Sequence, residues 1–229
     1  TDEAGSITRL DVIQEAVSDG ASLRPHRLIV SGYDLAADGK TAEQVFSVEL
    51  DVDGAQTSVA EALGLKRPAL VLVNDGDLAY AKIRMDEDSL AFAVANVSRF
   101  EDALTRRVIM AAAWDMTRDG EFAPSKFLEL ALVAASAETS VASLTQILRQ
   151  VDMAATSYVA PAYRPAALRA VADQLAELAE DAAAGSDARE LLMRAFTRRA
   201  VTRVQYEHIL SLYRGTLVLD GLEMSEDMR

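Results

Sequence analysis

The chain has no cysteine, two histidines and a single tryptophan among 229 residues. Without cysteine there is no disulfide framework, no thiolate metal site and no cysteine nucleophile, which fits a reducing compartment and a cytoplasmic location. Aromatic residues are scarce at 6%, but half the residues are apolar. The chain can therefore bury a core, built mainly from Ala, Leu and Val, as one large domain or two small ones. Positive charge is also short, with 23 Lys plus Arg against 36 Asp plus Glu, a net charge of −13. With acidic residues in such excess, nucleic acid and anionic lipid surfaces are excluded as expected partners. No apolar run approaches the roughly 18 residues that a membrane helix needs. The chain opens TDEAGS rather than with Met and a basic, apolar leader, and on that ground it reads as a fragment.

Catalytic signatures are missing too. A zinc peptidase uses two histidines one helical turn apart with a neighbouring glutamate, whereas His26 and His208 lie far apart in sequence. There is no Gly-rich phosphate loop, no G-x-S-x-G elbow and no dinucleotide fingerprint; Ser31-Gly32 lacks the preceding glycine. Asp51, Asp53 and Gly54 suggest a calcium loop, but Ala55 and Gln56 stand where further ligands and glycine are required, so this is read as a hairpin turn. Asn74-Asp75-Gly76-Asp77 is read in the same way, as a turn. The remaining carboxylates are scattered. No catalytic, cofactor-binding or metal-ligating residue is assigned. One basic row stands out, Arg189, Arg194, Arg198, Arg199 and Arg203. Its spacing places Arg194 and Arg198 on one side of a helix, as candidate contacts for a peptide carboxylate.

Two textures divide the chain. Residues 1–86 read as strands: Phe46, Val48, Leu50 and Val52 alternate with Ser47, Glu49 and Asp51, while Leu28 to Val30 and Ala69 to Val73 are short apolar runs. Such strands suggest a β-sandwich. Leu10, Ile13 and Val17 fit a helix, but Leu10 and Val12 flanking Asp11 fit a strand equally well; the segment is assigned as a strand. Residues 87–229 are Ala- and Leu-rich with helix punctuation for about seven helices. Ser98 with Glu101 opens a helix running to about Arg118 and stopped by Asp119-Gly120. Pro124 suits the next first turn, Asp187 with Glu190 and Thr202 with Gln205 repeat the cap, and Gly185 and Gly215 mark helix ends. Within Ala162 to Ala183, Leu168, Val171, Leu175, Leu178 and Ala182 form one apolar stripe. Helices of this length, at about 40 residues per pair, match a superhelical, HEAT/armadillo-like α-solenoid.

LRPHRLIVSGYD (Leu23 to Asp34), PALVLVNDGDLAYAKIRMD (Pro68 to Asp86) and FEDALTRRVIMAAAWDMTRDGEF (Phe100 to Phe122) together resemble the C-terminal part of aminopeptidase N, in its actinobacterial branch. The similarity extends to SLYRGTLVLDGLEMSEDMR at the end. The resemblance implies a gluzincin-type zinc enzyme that removes N-terminal residues from peptides. Its zinc ligands, general-base glutamate and amino-terminus-binding motif belong upstream of Thr1. This chain would then be the small β-sandwich plus part of the helical domain, inactive alone, with zinc held elsewhere in the parent enzyme.

In such enzymes the helical domain caps the catalytic cleft and governs access and length selection. The expected partners are the catalytic domain of the same polypeptide and its peptide substrates. Relatives continue beyond Asp227-Met228-Arg229, so the superhelix is expected to be truncated, and a truncated solenoid is expected to self-associate. The competing reading is a free-standing α-solenoid interaction module without enzymatic activity.

Overall fold

The structure is a computed structural model and describes residues 1–16 and 22–222. Val17 and the segment 223–229 lie outside the described residues. The chain divides into two compact units, residues 1–116 and 117–229.

In the first unit all strand pairing is antiparallel. Strand β2 (His26–Leu35) lies between β3 (Ala42–Val52) and β5 (Leu70–Val73). Strand β1 (Asp11–Ile13) pairs with β4 (Gln56–Ser58) in a separate two-stranded sheet. The alternation in β3 is real: Val48 and Val52 are buried, Ser47, Glu49 and Asp51 exposed. Leu28, Val30, Val48, Val52, Val59 and Ile7 share one apolar core, against which Leu10 and, in the small sheet, Val12 also pack. The apolar run Leu28 to Val30 lies on the central strand of its sheet, with Leu28 and Val30 buried and Ile29 half-buried.

Asp53-Gly54 does not close a hairpin. Gly54 has a positive φ of 72°, as the turn requires, but β3 and β4 belong to different sheets. The hairpin joins β2 to β3 through Asp38-Gly39, with Ala36 N–H donating to Thr41 O at 2.9 Å and the Asp38 carboxylate accepting from Lys40 N. Either Asp-Gly pair supplies the same positive φ, and sheet pairing decides which one closes a hairpin.

The β region is followed by seven α-helices among the described residues. Helix α1 (Glu87–Asn96) is capped by Asp86, which accepts from Ser89 N. The Ser89 hydroxyl accepts from Val71 N and so ties α1 to the edge of β5. Ser98 opens no long helix. It sits in a single 3-10 turn (Val97–Arg99) ended by extended Phe100, and α2 (Ala103–Arg118) starts later. Its cap is Asp102, which accepts from Leu104 N and Thr105 N. The displacement follows from Phe100, 2% exposed and edge-on to Tyr33 at 5.0 Å: burying that ring needs extended backbone where a helix would have turned it away.

In the second unit α3 (Pro124–Ala137) begins at its proline after Gly120 ends α2, and α4 (Val141–Met153) runs into a π-helical turn (Ala154–Tyr158). Helix α5 (Arg164–Asp181) buries Val171 and Leu175 and exposes Asp173, Glu177 and Glu180, as its stripe requires. It packs against α6 (Asp187–Arg199). The cap of α6 is Ser186, one residue before the expected Asp187. Helix α7 (Arg203–Tyr213) has the expected capping box from Thr202 and Gln205.

Candidate functional site

The arginines of the row have different partners. Arg189 is buried, and its guanidinium caps the end of α5: Nε donates to Ala179 O at 3.1 Å, Nη2 to Glu180 O at 2.9 Å and to Ala182 O, and Nη1 to Asp220 O at 2.7 Å. A cation on the last carbonyls of a helix satisfies groups that would otherwise lack donors. Arg194 pairs with Glu190 at 2.6 Å, Arg199 with Asp152, and exposed Arg203 with Glu207 at 2.7 Å. Arg198 is exposed, with no ion pair among the described residues.

The histidines lie in separate units. His26 starts β2; His208 is on α7, edge-on to Phe196 at 5.5 Å with Nε2 3.3 Å from Glu180. Among the described residues no three His, Cys, Asp or Glu side chains are placed to hold a metal ion. The donor set of a zinc peptidase does not fit here, and no step of a metal-dependent reaction is assigned to these residues.

A polar constellation does form in the first unit. The turn after β5 holds Asn74 and Asp77 at positive φ (62° and 57°) and turns Asp75 inward, leaving it 5% exposed. Asn74 fixes the turn by accepting from Ala79 N and donating to Ala79 O, both at 2.9 Å. Asp75 Oδ2 accepts from the Tyr33 hydroxyl at 2.6 Å and from Gln44 Nε2 at 3.3 Å. Oδ1 lies 3.0 Å from Thr105 Oγ1 in the first turn of α2, and the same Thr105 oxygen is 3.0 Å from Asp102 Oδ2. These groups line a cavity of about 360 Å³ with Ile29, Phe100 and Glu101.

The electrostatics follow from burial. Loss of water, then the neighbouring Asp75 carboxylate, pushes the Tyr33 phenol up to about 12. Burial works to raise Asp102, but the amides of Leu104 and Thr105, the Thr105 hydroxyl and Arg106 outweigh it and hold the carboxyl below its usual range. The constellation escapes a reading of the sequence because Asn-Asp-Gly-Asp has the composition of an exposed turn. The available signal was position, since Asp75 stands two residues after Val73, where the apolar run ends.

Residues 70–228 match the family model described as the ERAP1-like C-terminal domain. The whole chain aligns with aminopeptidase N of Streptomyces lividans at 39% identity over 235 residues. The chain belongs to the family of ERAP1-like C-terminal domains. The ERAP1-like match takes in β5, all seven helices, Asp75, Thr105 and the arginine row, whereas Tyr33 and Gln44 precede it. The chain covers 27% of the length of the Streptomyces relative and is homologous to its C-terminal part. Among the described residues no helix is long and apolar enough to cross a membrane.

Proposed function

We propose that this chain is the non-catalytic C-terminal part of a zinc-dependent aminopeptidase, in which the helical unit caps the active-site chamber and shapes peptide access. The observation that carries the reading is the 39% identity to aminopeptidase N across the full chain. It is supported by the match of residues 70–228 to the ERAP1-like C-terminal domain, which takes in all seven described helices. The partners are the catalytic part of the same polypeptide and the peptide it cleaves. Stacked helices suit this role because they present a long surface to both, and a solenoid arrangement of α3 to α7 belongs to the reading. Arg198 is proposed as a contact for a peptide carboxylate, with Arg194 beside it, oriented by Glu190.

The test is a chimera in which these residues replace the matching segment of the Streptomyces enzyme. Hydrolysis of an aminoacyl-arylamide should stay within about threefold of the parent, while the ratio of rates on long and short peptides changes. An unchanged ratio would remove the access role, and a chimera whose parts fail to associate would remove the assignment to this enzyme. The isolated chain with added zinc should show no turnover.

A further inference from the structure

We propose that the His208–Glu180 pair is a pH-sensitive latch, which holds α7 on α5 while the imidazole is charged and loosens it as the ring loses its proton. The inference stands apart from the aminopeptidase reading and concerns the helical unit by itself.

The first observation is how little else holds α7. Of its eleven residues only Gln205 and Leu212 are buried, whereas α5 buries Val171, Ala172, Leu175, Ala176 and Ala179. Val204, Tyr206 and Leu210 of α7 are exposed. Apolar burial therefore contributes less to docking this helix than it does to α5. The remaining ties are polar. Gln205 donates to Asp173 Oδ1 at 2.6 Å and to Arg169 O at 3.2 Å, and about one turn later His208 meets Glu180 at 3.3 Å. A helix held at so few points opens locally at lower cost than its neighbours.

The second observation is the geometry of the pair. His208 Nε2 is shut off from solvent and lies 3.3 Å from Glu180 Oε1, yet the two are not aligned for a hydrogen bond. The attraction is therefore one of charge. It exists with the imidazolium and vanishes with the neutral ring, whose Nε2 is then a shielded polar atom without a partner.

The third observation is the surroundings of the ring. From α6 it faces Phe196, edge-on at 5.5 Å and uncharged. Arg189 of α6 sits on the carbonyls at the end of α5, that of Glu180 at 2.9 Å included, so its charge opposes the imidazolium and the Glu180 carboxylate offsets it. On α7 itself Glu207 is taken by Arg203 at 2.7 Å, and Asp173 of α5 is taken by Gln205. The other histidine, His26, is in the first unit. Between about pH 5.5 and 7.5 carboxylates are ordinarily ionised already and Lys and Arg still charged, which leaves the histidines to titrate. The contribution of the latch is present below the ordinary histidine value of about 6.5 and is lost as pH rises above it.

The experiment is amide hydrogen exchange of the ¹⁵N-labelled chain at pH 5.5 and 7.5, expressed as protection factors so that the intrinsic rates cancel. The amides from Glu207 to Tyr213 report on α7, and those from Val171 to Leu175 are the reference within α5. Protection in α7 should be about two- to fivefold higher at pH 5.5, as suits a partly exposed ion pair, with a smaller change in α5. Glu180→Gln and His208→Gln should each remove the difference, the double variant should add nothing, and His26→Gln should leave it intact. The Glu180 side chain is 43% exposed, so its replacement tests the charge without disturbing the packing. Equal α7 protection at the two pH values, an equal change in α5, a difference that survives Glu180→Gln, or one abolished by His26→Gln would each overturn the latch.

Discussion

The hydroxyl of Tyr33, on the central strand of the larger sheet, donates to Asp75 Oδ2 at 2.6 Å. This bond joins β2 to the turn after β5, and through Thr105 it reaches the first turn of α2. With the phenol held up to about 12, the folded state keeps a proton that the unfolded chain releases near 10. Stability from this group is complete below pH 10 and is lost as pH rises toward 12. Ultraviolet titration of the six tyrosines should show one ionising last, and Tyr33→Phe should remove that step.

At low pH the opposite order holds. Burial works to raise Asp86, but the hydroxyl and amide of Ser89, together with Arg67 at 2.9 Å, outweigh it and leave the carboxyl lowered, as Asp102 also is. Their contribution is present above the unfolded value near 4 and disappears as pH falls through the folded values. Asp86→Asn and Asp102→Asn together should flatten the acid limb of a stability-versus-pH curve measured by urea unfolding.

Arg189→Lys keeps the charge but loses the fork that reaches Ala179, Glu180, Ala182 and Asp220. Leaving buried helix-end carbonyls without donors should cost about 2–3 kcal/mol, read from urea unfolding followed by circular dichroism. Arg198→Ala, at an exposed position, should leave the same curve unchanged within about 0.5 kcal/mol.

Gly32 faces the Phe46 ring and Pro68, whose Cγ would lie 2.8 Å from an added Cβ. Gly32→Ala should destabilise the first unit by about 1–3 kcal/mol through overpacking. Gly54→Ala, where an added Cβ meets nothing within 4 Å but φ is 72°, should cost about 1 kcal/mol through backbone strain alone.

Thr202→Ala removes one side of the α7 capping box and should cost about 1 kcal/mol. Gln205→Ala should cost more. Its side chain also donates to Asp173 Oδ1 at 2.6 Å and Arg169 O at 3.2 Å, joining α7 to α5.

Elements whose signals are local could be read from the residue order. Alternation in β3, the stripe on α5, Pro124 at the start of α3, and the Thr202–Gln205 box are each written within a few residues, because φ preference, period and capping act at that range. Tertiary structure alone decided what depends on distant partners. Two Asp-Gly turns look alike until sheet pairing selects one as the hairpin, and Ser98 lost its helix because Phe100 is buried against Tyr33. Arg189 and Arg198 share one helix, yet the first is bound to carbonyls of α5 and the second faces solvent. Asp75 became a buried carboxylate because Tyr33 and Thr105, 42 positions before it and 30 after it, were folded against its turn. Local chemistry fixes what a residue can do, and its neighbours after folding fix which of those things it does.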